Sequence, residues 1–296
     1  MAIIDIAGFI DTHVHSAPAP FVRIGDSAEI AVWCARAGMG GIVIKSHFES
    51  TISKVHHARR AVAEWPGFEV FAGIALNRGV GGVNPGAVEI ALDQGAKIVW
   101  LPTFDADHHA QAFGGTGTYG FHSMSLSFRG ASRPHGNFTV LHNNKLSDDA
   151  REVIDIVAAY GALLATGHVS KAEIFATVDY ALAKGVKVIV THPEFTVPNL
   201  DIETMVELSK QGVFMEFCAV NCFPIPHTKN IDEMKEIIDA VTPERAVLAS
   251  DSGQPFSAKP PETLRVFVQC LHEMGLDEAS IRRMCIDNPA HLLGLA

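Results

Sequence analysis

Apolar residues along the chain fall into short continuous runs separated by longer stretches of helical period. The runs are "GFIDTH", "GIVIKSH", "EVFAGIALN", "KIVWLPT", "ALLATGHVS", "VIVTHPE", "VFMEFCA" and "AVLASD". They are continuous rather than alternating, as parallel strands covered on both faces should be. Helical stretches follow most of them and carry helix punctuation at their ends. "SAEIAVWCARAG" begins on a serine cap and stops at Gly38, and "SDDAREVIDIVAAYG" opens with Ser147 and two aspartates. "NPGAVEIALDQG" has proline near its start and Gly95 at its end. Eight strand–helix units in 296 residues predict an α/β fold closed into a (β/α)8 TIM barrel. An open doubly wound sheet is the competing architecture, but no glycine fingerprint of the dinucleotide-binding type follows the first strand.

One segment breaks the rhythm. From Phe104 to Leu146, after the fourth strand, the chain is rich in Gly and Ser yet carries aromatics and several histidines. A connection of this length in a compact domain is usually functional or disordered. We expect one domain over residues 1–296, with residues 104–146 as an insertion or lid and a short hairpin around Asn137 to Asn144. After the eighth helix, "DEASIRRMCIDNPAHLLGL" predicts a capping helix, a turn at Pro289 and a short apolar cap.

Barrel active sites form at the C-terminal ends of the strands, so the residues that end each apolar run are the informative ones. The first run ends in His13 and His15, the second in Lys45 and His47, the fifth in His168, the sixth in His192 and the eighth in Asp251. Residues i and i+2 of a strand point to the same side, so His13 and His15 face the barrel axis together. Two neutral imidazoles side by side suit a borderline metal such as zinc; His168 adds a third nitrogen and Asp251 an oxygen. Three or four protein ligands plus water is the pattern of a catalytic rather than a structural site. Each of these histidines taken alone has an ordinary reading as a core or capping residue. Their conjunction at matching strand ends favours the metal. His56, His57, His272 and His291 lie in helical or terminal contexts and are read as surface or packing residues. His108, His109, His122, His135 and His142 lie in the insertion and are read as loop-surface residues.

Composition narrows the function classes. Hydrophobic residues make up 48% of the chain and charged residues 19%, a well-packed globular composition. The net charge of −10 comes without a basic run, which speaks against nucleic-acid binding. The five cysteines form no Cys-x-x-Cys pair and read as reduced thiols of a cytoplasmic protein. The start "MAIIDIAGFID" lacks the basic region of a signal peptide, and no apolar stretch approaches the ~18 residues of a membrane span. A homo-oligomer is left open.

The motifs "DTHVH", "TGHVS", "VTHPE" and "LASDSG", in this order and at these strand ends, resemble those of the amidohydrolase superfamily of metal-dependent hydrolases. The tail "CIDNPAHLLGL" is similar to that family's closing helix, and the resemblance spans most of the chain. It resembles most an uncharacterised branch of that superfamily. The resemblance implies that His13, His15 and His168 bind metal. It implies that His192 serves a second metal or polarises the substrate, and that Asp251 binds metal and shuttles a proton. Two-metal members usually carry a bridging carboxylated lysine or a glutamate at the end of the fourth strand; here that strand reads "KIVWLPTFDAD" and has neither. The favoured reading is one ion on His13, His15, His168 and Asp251. The alternative is two ions bridged by a carbamylated Lys45. Asp105 and Asp107 are weaker candidates from the loop.

The expected chemistry is hydrolysis of a C–N or C–O bond in a small polar substrate by a metal-activated water, with Asp251, His192 and Lys45 as the catalytic groups. Arg129 and Arg133, in "FRGASRPHG", together with His47, are candidates for substrate binding, the arginines for an anionic group. No Gly-x-Ser-x-Gly surrounds Ser250, so a serine nucleophile is not indicated. The alternatives are a mononuclear metal-dependent decarboxylase of the same superfamily, a phosphoesterase, and a catalytically silent binding barrel.

Overall fold

The computed structural model describes residues 3–119, 137–223 and 226–295. Among the described residues ten strands follow one another in chain order. Eight of them form one parallel sheet in the order β1 (Ile10–His15), β2 (Gly41–Lys45), β3 (Glu69–Ala75), β4 (Ile98–Trp100), β7 (Leu163–Ala165), β8 (Lys187–Thr191), β9 (Phe214–Cys218) and β10 (Ala246–Ala249). The last strand returns to the first. Val14 bridges Ser252 in parallel, the His15 amide donates to the Ser252 carbonyl at 2.8 Å, and the Ser250 amide donates to Asp11 Oδ1 at 3.0 Å. The result is a (β/α)8 TIM barrel, as the apolar runs predict.

Helices α1 (Ser27–Arg36), α2 (Ile52–Ala61), α3 (Pro85–Asp93), α5 (Asp148–Tyr160), α6 (Lys171–Ala183), α7 (Ile202–Lys210), α8 (Ile231–Val241) and α9 (Pro260–Glu273) alternate with the barrel strands. Their starts follow capping chemistry. The cap of α1 is Asp26 rather than Ser27, because Asp26 accepts from the Ala28 and Glu29 amides while Glu29 reaches back to close a capping box. Ser147 caps α5 as expected, and Ser170 with Glu173 forms a second box on α6.

The barrel interior is filled by Ile10, Val43, Phe71, Ile98, Trp100, Leu163, Ile189, Phe214 and Val247. The chain closes with α10 (Glu278–Arg282), one π turn over Arg283–Asp287, and α11 (Asn288–Leu293). Pro289 does not make a turn: it sits in the first turn of α11, where its missing N–H costs nothing. Leu292 and Leu293 of α11 join the interior cluster beside Ile10 and Phe214, at the starts of the strands, and so plug the end opposite the histidines.

The segment after β4 is more structured than a bare loop. It contains α4 (Asp107–Phe113) and the antiparallel hairpin of β5 (Leu141–His142) with β6 (Lys145–Leu146). The hairpin pairs Leu141 with Leu146, a few residues later than expected. His109 on α4 corrects the loop-surface reading, because it is fully buried. His142 is exposed, His56 and His57 are exposed on α2, and His291 is exposed on α11. His122, His135, Arg129 and Arg133 lie outside the described residues. No helix among the described residues is long and apolar enough to cross a membrane.

Candidate functional site

The C-terminal mouth of the barrel opens into a narrow pocket whose cavity volume is about 40 Å³. His13, His15, Lys45, His47, His168, His192 and Asp251 all line it, so every described residue expected at the site faces this one space. Within it, donor atoms of His13, His15 and Asp251 lie inside 4.8 Å of one another. Asp251 Oδ1 is 3.1 Å from His15 Nε2 and 3.4 Å from His13 Nε2. The His168 and His192 rings pack together at 4.9 Å between centroids, and His192 stacks on His13 at 6.0 Å.

The backbone at these positions is specialised. His192 and Asp251 follow β8 and β10 with φ of 29° and 47°, a region that L-residues other than glycine rarely occupy. Such strain tends to be kept where function needs it. Two glycines let neighbouring chain pass close by. A Cβ on Gly253 would sit 2.0 Å from the His15 carbonyl oxygen, and one on Gly167 would sit 2.4 Å from the Leu101 carbonyl oxygen. Gly167 thereby allows β7 to hold His168 against the end of β4, where the His168 amide donates to the Pro102 carbonyl at 2.9 Å.

Burial makes the histidines neutral. It pushes His13 and His192 down to about 3 and His15, His47 and His168 well below the usual histidine value; the Lys45 and Arg23 charges press several of them further. A neutral imidazole carries one proton, and the surroundings fix which nitrogen holds it. The Thr118 carbonyl only accepts, so His109 Nε2, 2.8 Å away, carries the hydrogen. His109 Nδ1 is then a bare acceptor for His168 Nδ1, 2.9 Å away, which leaves the lone pair of His168 on Nε2. On the other wall His13 Nδ1 donates to Glu216 Oε2 at 3.0 Å, while Thr12 donates to Glu216 Oε1 at 2.6 Å. His13 Nε2 therefore carries the lone pair, turned towards the pocket. Carboxylates and carbonyls that fix ligand tautomers in this way are the usual support of metal-binding histidines.

Lys45 complicates this arrangement. Its Nζ lies 3.0 Å from His13 Nε2 and 5.3 Å from the centre of the Trp100 ring. Burial lowers its affinity for a proton and raises that of Glu216, while each charge opposes the other's shift. His47 has both nitrogens engaged, Nδ1 with the Thr103 hydroxyl at 2.8 Å and Nε2 with the Tyr119 hydroxyl at 3.2 Å. Asp105 is buried and turned away to accept the Arg78 amide at 3.0 Å, and Asp107 bonds Gln111 and Asn137 at the surface.

The donor set fits a divalent ion. Two neutral imidazoles and a carboxylate converge, and Nδ1 of both His15 and His192 is buried without a hydrogen-bond partner. His13, His15 and Asp251 would hold such an ion, with His168 and His192 within the same pocket.

Sequence reasoning passes over Glu216, Arg23, Tyr119 and Asn221, which also contribute to this region. Glu216 leaves a signal: it is the sole charged residue in the apolar run of β9. Arg23 and Tyr119 sit in loops, where no periodicity marks a side chain as inward.

Residues 8–216 match the model of a protein family described as "Family of unknown function (DUF6282)". No protein of curated function matches the sequence. Among solved structures, an amidohydrolase from Pseudomonas aeruginosa superposes with a TM-score of 0.64 at 12% identity, covering 97% of this chain and 95% of its own. An organophosphorus hydrolase mutant from Deinococcus radiodurans gives 0.54 at 13% identity over 99% and 98% of the two chains. A 2,6-dihydroxybenzoate decarboxylase gives 0.53 at 12% identity over 97% and 99%. At these identities the likeness is one of fold, the (β/α)8 barrel described above. The matched residues run from the start of β1 into β9 and take in His13, His15, Lys45, His168, His192 and Glu216. The chain therefore belongs to the family of unknown function DUF6282, built on a (β/α)8 barrel that it shares with these structures.

Proposed function

We propose that this chain is a metal-dependent hydrolase that cleaves a C–N or C–O bond in a small polar substrate, with a single zinc ion and a cytoplasmic location. The observation that carries the proposal is the convergence of His13, His15 and Asp251 at the barrel mouth, with the Nε2 lone pair of His13 set by Glu216 and that of His168 by His109. A bound divalent ion supplies Lewis acidity, which brings a water pKa from ~15.7 to about 7 and makes it a nucleophile at neutral pH.

The chain's own residues do the rest. Asp251 accepts a proton from the attacking water and returns it to the leaving group. His13, His15 and Asp251 hold the ion, and His168 completes the set. His192, with its unpartnered Nδ1, faces the substrate oxygen. Lys45 holds negative charge that develops beside His13; its carbamylation to bridge two ions is the lesser reading. His47 braces Tyr119 at the pocket wall and meets the substrate through its ring. In this proposal the chain is a single domain with residues 104–146 as its lid; Arg129 and Arg133, the lid's candidates for an anionic group, lie outside the described residues.

The test is Asp251→Asn. Turnover should fall by roughly 10²–10⁴-fold, the usual contribution of a positioned acid–base group, with metal content largely kept. Unchanged turnover contradicts the assignment. The decarboxylase that shares the fold defines the rival chemistry. Release of carbon dioxide with no solvent-derived oxygen in the product would identify it. The eight-stranded barrel argues against the polymerase and histidinol phosphatase family, which closes on seven strands, whereas the organophosphorus hydrolase that shares the fold keeps phosphoester cleavage a second rival.

A further inference from the structure

Arg23 lies in the connection between β1 and α1 and lines the same pocket as the histidines. Its Nε and Nη1 are buried, and neither has a hydrogen-bond partner. The Phe21 ring lies 5.7 Å from the guanidinium carbon, and no carboxylate of the described residues lies within ion-pair distance of it. Residues 120–136 contain no Asp or Glu that might supply one. Burial lowers its affinity for a proton only to about 10, so it is a cation at neutral pH. A cation whose Nε and Nη1 are withdrawn from water without a partner is costly, and a protein retains one where something else completes it.

The walls around it say what else the pocket takes. Tyr119, Phe195, Phe256 and Val220 present apolar surface, and Gln254 and Asn221 are neutral polar neighbours. Phe195 is buried and its ring packs on His192 at 5.1 Å, which ties the apolar wall to the histidine end. Lys45, the other cation of the pocket, lies beside His13 and the Trp100 ring, away from the Phe21 ring that the Arg23 guanidinium faces. One planar guanidinium with free N–H groups matches the two oxygens of a monoanionic carboxylate, whereas a phosphate dianion calls for more donors.

We propose that Arg23 is the substrate-carboxylate receptor of this pocket, and that the substrate class is a small monocarboxylic acid with a flat apolar body. The proposal deepens the hydrolase reading, since it places the carboxylate's apolar body between Arg23 and the histidines. It does not need turnover to be tested.

The experiment is calorimetric titration of the full chain, treated with chelator so that no ion competes for the anion. Benzoate, benzamide and inorganic phosphate are the probes, against wild type, Arg23→Gln and Arg23→Lys. Benzoate should bind at least tenfold more tightly than benzamide. Arg23→Gln should remove that preference and Arg23→Lys should restore part of it. Circular dichroism checks that each variant is folded, and if Arg23→Gln is not, the comparison of the three probes on wild type and Arg23→Lys decides. Equal affinity for benzoate and benzamide, tighter binding of phosphate, an unchanged preference in the variants, or no binding at millimolar benzoate overturns the proposal. A chain that holds no metal or turns nothing over would defeat the hydrolase reading yet leave this outcome intact.

Discussion

His13 Nδ1 lies 3.0 Å from Glu216 Oε2, an imidazole on the first barrel strand bonded to a carboxylate on the seventh. Both side chains are completely buried, and the Thr12 hydroxyl takes up the other carboxylate oxygen. The carboxylate has no open route to solvent. Its work is to hold one proton on Nδ1 and aim Nε2 at the pocket. Glu216→Gln keeps the shape while replacing a charged acceptor by a neutral amide. We expect metal affinity to fall by roughly 10–100-fold, the usual cost of losing such support, with little change in fold. Isothermal titration with zinc measures it.

His109 does for His168 what Glu216 does for His13. Its Nε2 is committed to the Thr118 carbonyl and its Nδ1 to His168. His109→Phe keeps a ring beside Phe113 and Tyr119, which pack on it at 4.6 and 4.9 Å, but removes both nitrogens. The His168 tautomer is then no longer fixed. Nitrogen chemical shifts of labelled His168 should move from a single tautomer towards a mixture, and a purely structural role for His109 would leave them unmoved.

Ion binding should stabilise the folded chain. A ligand held only by the native state adds ~2.7 kcal/mol at a hundredfold excess over its dissociation constant. Chelation should therefore lower the melting temperature by several degrees, and zinc should restore it. In His13→Ala or Asp251→Ala the response to zinc should shrink or vanish, and a differential scanning calorimeter reads both.

At the closed end of the barrel, Leu293 is 2% exposed and sits in the interior cluster with Ile10, Phe214 and Val247. Leu293→Ala should cost about 2–5 kcal/mol, the price of a core cavity. Its distance from the strand C-termini means that metal affinity should hold at temperatures where the variant is folded. Urea denaturation and zinc titration on the same variant separate the two effects.

Much of this was written into the strand ends. The barrel follows from eight apolar runs, because a strand covered on both faces has no polar alternation to hide it. His13, His15, Lys45, His168, His192 and Asp251 were legible because each stops an apolar run where the chain leaves the barrel. Glu216 was less so, since it lies within its run rather than at its end and inward register shows only once β9 is paired with β8 and β10. His109 was hidden by its setting in a Gly- and Ser-rich segment: nothing local says that α4 folds down onto β7. Arg23 was equally hidden, because its isolation is a property of its neighbours in space.

The central claim is that His13, His15 and Asp251 hold a divalent ion at the barrel mouth. Elemental analysis of the purified chain, joined to anomalous diffraction at the absorption edge of the metal found, tests it most directly. The account predicts about one ion per chain, with an anomalous peak among the His13, His15 and Asp251 side chains. A stoichiometric metal bound elsewhere, or a fully active chain without metal, would contradict it.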